Sequence, residues 1–266
     1  MSNILRDGLS ANELVLDLLT AHDEHQLSAA ALCRAGSWLG IREQSVRVAL
    51  TRLVQQGKLC VPERGVYALH PGGPSLFEDV RNWLHKERLM VPWNGQWVGV
   101  VDGALSAPSR RAAGDHQRAL ALRGFKALRA GLHVRPDNLH GDLAQRRQEL
   151  SALGLLPHAV VLNVAELSAQ DDACARQLWD VAALNGAYRQ AIERLERSEQ
   201  QLVRLPQAEA AAHTLVVGRQ VIRAIIRDPL LPEALCASGP RRALIERMTA
   251  YQLRARALWR QALASV

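Results

Sequence analysis

Apolar side chains fall at Val46, Ala49, Leu50, Leu53 and Val54, the i, i+3, i+4, i+7, i+8 rhythm of a helix with one buried stripe. The spacing predicts this helix from about Arg42 to Gln56, with Gly57 at the position of a C-cap glycine. Two shorter helical patterns come first. Asn12 is a candidate cap for a helix from Glu13 to about Ala21, with Leu14, Val15 and Leu18 on its apolar face. Ser28 is a candidate cap for a second, running through Leu32 to about Ser37, and Gly40 breaks the chain after it. After Gly57 comes KLCVPERGVYALH, two β-prone runs around a tight Glu63-Arg64-Gly65 turn. Three helices followed by a hairpin predict a winged helix-turn-helix over residues 1–72.

The HPGGPS stretch, His70 to Ser75, reads as a linker. Beyond it the pattern predicts a strand at Gln96–Val101, a helix at Arg110–Leu128 and a strand at Leu132–Arg135. A helix at Leu143–Leu153 and a strand at His158–Val164 follow. With a fourth strand near the edge, residues 76–168 suit a small α+β domain of split βαβ type. From Asp171 onward three helical patterns follow, Ala173–Leu205, Glu209–Ile226 and Arg241–Ala264. Pro206, Pro229, Pro232 and Gly239-Pro240 punctuate them. The expected fold class is therefore α+β, with a helical domain over 171–266.

Composition narrows the class. Hydrophobic residues make up 48% of the chain, ordinary globular material. The opening MSNILRDGLS lacks the basic-then-apolar layout of a signal peptide, and no apolar run approaches the roughly 20 residues of a membrane span. A cytoplasmic protein without a membrane partner is expected. Cys33, Cys60, Cys174 and Cys236 are far apart and form no CxxC pair, so free thiols are expected. The nine histidines show no HxxxH or HExxH spacing, and neither a metal nor a cofactor is expected.

The net charge of +7 favours a polyanionic partner, and its distribution says more than its sum. Within residues 1–72 the acidic Asp7, Glu13, Asp17, Asp23 and Glu24 come early. Arg34, Arg42, Arg47, Arg52, Lys58 and Arg64 come later, opposed only by Glu43 and Glu63. The face of the third helix opposite its apolar stripe carries Gln44, Val48, Thr51 and Gln55, flanked by Arg47 and Arg52, and no carboxylate is expected on it. Amide, hydroxyl and guanidinium groups beside one exposed valine suit a reader of the major groove, through base-edge hydrogen bonds and a thymine methyl. With Arg42 and Ser45 at the helix start and Arg64 at the hairpin tip, these are the candidate DNA-binding residues. The bland alternative is a helical bundle with a solvated polar face. QQGKL is no phosphate-binding loop, because Arg52 stands five before Gly57.

These stretches resemble the PaaX family of repressors of aromatic-acid (phenylacetate) catabolism. SVRVALTRLVQQGKL is similar to the family's recognition helix and ERGVYAL to its wing. GQWVGVV and RALALRGFKALRAGLHVRPDNL are similar to its central domain, and RDPLLPEAL to a proline-rich element near its C-terminus. The chain departs from the family after that element, where CASGPRRA lacks the usual tryptophan-proline-glycine step. It also lacks the expected aromatic before Arg223. The resemblance implies a homodimer on double-stranded operator DNA with half-sites about 34–36 Å apart. It also implies release by an aromatic acid or its CoA thioester.

Trp179 and Tyr188 are candidates for the aromatic part of that effector, and Arg219 and Arg223 for its carboxylate or phosphates. Core packing of the aromatics, and pairing of Arg223 with a carboxylate such as Glu246, is the alternative. The resemblance also implies a ferredoxin-like central domain similar to the small nuclease of CRISPR spacer acquisition. There Asp102 stands where such nucleases place a metal-binding aspartate, although Asp-Gly after a strand is also a common turn. A regulator without enzymatic activity is the leading expectation. A metal-dependent nuclease using Asp102, or a nucleic-acid-binding module without an effector, are the alternatives.

Overall fold

Ser10, not Asn12, caps the first helix, α1 (Ala11–Ala21). Its hydroxyl accepts the Glu13 amide while the Glu13 carboxylate accepts the Ser10 amide at 3.1 Å, a reciprocal capping box. The computed structural model describes residues 9–22, 25–71, 83–103 and 109–264. Asp7, Asp23, Glu24 and most of the HPGGPS linker lie outside the described residues. The elements mix helices with two antiparallel sheets, so the chain is α+β.

After α1 come a short strand β1 (Gln26–Ser28) that the pattern did not announce, then α2 (Ala29–Trp38) and α3 (Glu43–Gln55). Strands β2 (Leu59–Glu63) and β3 (Val66–Leu69) follow, in a sheet of order β1-β3-β2. Three residues are too few for an alternation to be read, and β1 exists because β3 supplies its partners from Val66 to Ala68. Leu14, Val15, Leu32, Val46, Leu50 and Leu53 are buried together at the centre of α1, α2 and α3. A Cβ on Gly36 of α2 would lie 2.9 Å from Val46 Cγ2, so glycine is what lets α2 approach α3. Helix α3 ends as expected at Gly57 (φ +66°), where the Gly57 amide bonds to Val54 O and the Lys58 amide to Leu53 O.

The central segment runs β4 (Trp97–Val101), α4 (Arg110–Leu122), β5 (Lys126–Arg129), β6 (Leu132–Pro136), α5 (Leu143–Leu153) and β7 (Val160–Val164). Its sheet order is β5-β6-β4-β7, antiparallel throughout. One helix boundary differs from expectation. Helix α4 stops at Leu122 instead of Leu128, and the fourth strand, β5, occupies the rest. Ala121, Phe125 and Leu128 continue a helical spacing by coincidence. Gly124 (φ +76°) overrides it, with its own amide bonded to Ala121 O and that of Phe125 to Leu120 O. Val98, Val100, Ala119, Leu120, Phe125 and Leu150 form the core between the sheet and its two helices.

The remainder is helical: α6 (Ala169–Arg176), α7 (Val181–Leu202), α8 (Gln207–Ile226) and α9 (Gly239–Ala264). The single helix expected over Ala173–Leu205 is two helices, because the Asp180 side chain accepts the Ala183 amide at 2.8 Å and starts α7 afresh. The chain divides into two compact units. One comprises Met1–Arg81, Gln190–Arg223 and Leu244–Val266, the other Asn82–Arg189 and Ala224–Ala243. In the first unit Leu215 of α8 and Trp259 of α9 join the α1–α3 core. Trp259 lies 5.6 Å from Trp38, ring centre to ring centre, and Arg34 donates to Leu263 O. Among the described residues no helix is long and apolar enough to cross a membrane.

Candidate nucleic-acid interface

Four buried side chains, Val46, Ala49, Leu50 and Leu53, hold α3 against α1 and α2. That leaves Gln44, Ser45, Arg47, Val48, Thr51 and Arg52 exposed, Val48 at 61% of its surface. Arg42 is exposed at the N-cap and makes no side-chain capping bond. Arg64 is exposed in the turn between β2 and β3, where Gly65 supplies φ +81°. Among the described residues Arg42, Arg52 and Arg64 have no ion-pair partner.

The face differs from expectation in one respect, since it does carry a carboxylate. Glu43 Oε1 accepts from Arg47 Nε at 2.8 Å and from its Nη2 at 2.7 Å. The bond holds the Arg47 guanidinium above its ordinary range. The four-residue separation of Glu43 and Arg47 was the available signal, because side chains so spaced are helix neighbours. Thr51 Oγ1 donates to Arg47 O at 3.2 Å, which leaves its oxygen lone pairs and methyl facing outward.

Arg219 and Arg223 have partners of their own. Both lie on α8 in the first unit, and both reach α1. Arg219 bonds Asp17 and Glu13, and Arg223 Nη2 lies 3.0 Å from the same Glu13 oxygen. Arg219 is largely buried and Arg223 half exposed. Burial raises the Asp17 carboxyl, and the Arg219 charge opposes that without cancelling it. Glu13 moves the other way. Burial alone would raise it, but bonds from Ser10, the charge of Arg219 and a hydrogen bond from Arg223 hold it below its usual value. The partner is Glu13, not Glu246.

Trp179 and Tyr188 belong to the second unit, and both are buried. Trp179 stacks on Trp97 at 6.2 Å with 7° between planes, and Trp97 meets Trp93 edge-on at 5.2 Å. The Tyr188 hydroxyl donates to Asp228 Oδ2, and burial beside that carboxylate pushes its ionisation far up. Asp228 Oδ1 also accepts the Leu230 amide at 2.7 Å. Leu230 sits at φ +53°, a conformation that a branched residue adopts only when surroundings impose it. They do so here. Asn138 donates to Leu230 O at 2.7 Å and Arg135 to Pro229 O at 3.4 Å. Gly124 approaches so closely that a Cβ would lie 3.0 Å from Pro229 Cα. Arg135 is fully enclosed among carbonyls, and burial pushes it down to about 9, still protonated at neutral pH. Stretches that carried the family resemblance, RGF, RPDN and RDPLLP, thus meet in one buried polar clasp. The four candidate effector residues do not assemble within either unit.

Asp102 follows β4, one of the two inner strands of the second unit's sheet, and its carboxylate is engaged. His116 Nε2 lies 3.0 Å from Oδ1 and His133 Nδ1 3.2 Å from the same atom. The Leu156 amide donates to His116 Nδ1 at 3.3 Å, which fixes the proton on Nε2 and makes that nitrogen a donor to Asp102. Held in that tautomer, His116 offers no lone pair toward Asp102. Neither histidine was singled out in the sequence, since the three residues are far apart along it.

Comparison with protein families and with curated proteins finds no match for this chain. Among solved structures it is similar to an uncharacterized protein, Rv0674, from Mycobacterium tuberculosis. The two share 23% identity with a TM-score of 0.62, over 94% of this chain and 99% of that one. At that identity the likeness is one of fold.

Proposed function

We propose that the chain is a double-stranded-DNA-binding transcriptional regulator, and that α3 is its recognition helix. One observation carries the reading. The exposed face of α3 gathers Gln44, Arg47, Val48, Thr51 and Arg52 on a helix rigidly seated by its buried side, beside a hairpin that ends on Arg64. Under this reading residues 1–72 are a winged helix-turn-helix, and α2 and α3 are its two DNA-facing helices. The central β–α–β–β–α–β segment, with its outer strands flanking an inner pair, is ferredoxin-like. The resemblance to PaaX repressors supports a cytoplasmic homodimer on paired half-sites in an aromatic-catabolic operon. An aromatic acid or its CoA thioester would release it. Where that effector binds has to be sought beyond Arg219, whose guanidinium is already bonded to α1.

Gel shifts on the DNA upstream of the gene test the proposal. The wild type binds a discrete duplex, and the Arg47→Ala, Arg52→Ala double variant, exposed at both positions, loses that binding with its fold intact. Loss of each good base contact weakens specific binding by about 1–3 kcal/mol. Normal binding by the double variant rejects the recognition-helix assignment.

A further inference from the structure

Glu43 and Arg47 form a unit on the α3 face, and the geometry points to that unit as the determinant of base choice. We infer that Glu43 presents Arg47 to a guanine, with Val48 meeting the methyl of a neighbouring thymine. The inference rests on the DNA-binding reading. A guanidinium carries five N–H donors in a rigid fork. Glu43 Oε1 takes the side edge, Nε at 2.8 Å and one hydrogen of Nη2. The far edge, formed by Nη1 and the other Nη2 hydrogen, stays free and is the edge that bonds guanine O6 and N7 together. An arginine held along one edge arrives with fewer conformations to lose, so it gains most against the one partner that fits.

Charge separates this role from phosphate contact. With Glu43 beside it, Arg47 brings almost no net charge to the duplex, so it releases few counterions. Arg42, Arg52 and Arg64, without ion-pair partners among the described residues, are the groups that set the salt dependence. Val48, one residue on from Arg47 and 61% exposed, supplies the apolar contact, and thymine alone offers a methyl in the major groove.

Selection of bound duplexes from a randomised pool, followed by salt titration of the selected sequence, tests the inference on the intact protein. Wild type, Glu43→Gln, Arg47→Ala and Val48→Ala are compared. The wild type selects a guanine next to a thymine in each half-site. Arg47→Ala loses the guanine preference, by about 5- to 150-fold, with little change in the slope of log K against log salt. Glu43→Gln frees the Arg47 charge. It binds non-cognate duplexes more tightly, steepens the slope by up to about 0.9 and weakens the guanine preference. Val48→Ala relaxes the thymine position alone. Should Arg47→Ala flatten the slope and leave base preference untouched, Arg47 is a phosphate contact and the inference fails. An unchanged preference and slope in Glu43→Gln overturns it as well. If the wild type selects no duplex at all, the DNA-binding reading itself falls, which is a different failure from either.

Discussion

Removing Arg219 will destabilise the first unit far more than removing Arg223, four residues away on the same helix. The Arg219 side chain is 12% exposed and faces Asp17, itself 23% exposed. Arg223 is 54% exposed and shares only Glu13. Breaking a fully buried pair by deleting one partner costs about 3–5 kcal/mol, because the survivor keeps an uncompensated charge. Water reaches part of both groups here, and Asp17 can take up a proton, so about 2–3 kcal/mol is the expected loss for Arg219→Ala. At ~2–4 °C per kcal/mol for a chain of this size, Tm falls by about 5–10 °C. Arg223→Ala loses at most about 1 kcal/mol.

The two carboxylates have opposite pH signatures. Glu13 is held below its ordinary 4.5, so its contribution is complete above that pH and fades as acid titrates the folded protein. Asp17 lies above its ordinary 3.8, so its ionisation opposes folding, and that penalty sets in as pH rises through 3.8 toward the folded value. Glu13→Gln therefore flattens the acid limb of a stability–pH curve, whereas Asp17→Asn steepens it, by removing a penalty that the wild type meets only as pH rises above 3.8. Calorimetric or urea unfolding from pH 3 to 7 reads all four variants. Equal losses for Arg219→Ala and Arg223→Ala would refute the assignment of Arg219 as the principal tie between α8 and α1.

Tyr188→Phe leaves Asp228 Oδ2 without its donor in a buried site, and urea unfolding should register a loss of about 1–3 kcal/mol. Gly36→Val drives new methyls into Val46, whose Cγ2 is already 2.9 Å from where the first carbon would sit. Overpacking by about 1–3 kcal/mol is expected and, under the proposed DNA-binding function, weaker binding of duplex as α3 is displaced. Asp102→Asn keeps an acceptor for His116 Nε2–H, so under the proposed function its duplex binding should equal that of the wild type. Incubation of both proteins with single- and double-stranded DNA and magnesium or manganese should show no cleavage by either. Cleavage abolished by Asp102→Asn would bring the nuclease reading forward.

Periodicity by itself determined α3, because a stripe from Val46 to Leu53 has one way to be buried, and that orientation dictates which residues face outward. Glycine chemistry likewise placed the end of α3 at Gly57, and turn chemistry the hairpin at Arg64-Gly65. Tertiary structure decided the rest. Helical spacing ran on through Phe125 and Leu128, and the choice of strand β5 depended on β6 offering hydrogen bonds and on Gly124 turning against Pro229. A helix and a strand with the same apolar positions are distinguished by their partners, which lie elsewhere in the sequence. The arginines of α8 showed the same limit. Charge and spacing marked Arg219 and Arg223 as anion ligands, but the anions they hold are Glu13 and Asp17, some two hundred positions earlier. Asp102 met His116 and His133 in the same way, once β4, α4 and β6 had closed the distance. Local propensity acts over a few residues, whereas an ion pair or buried hydrogen bond acts between whatever the fold brings within about 3 Å.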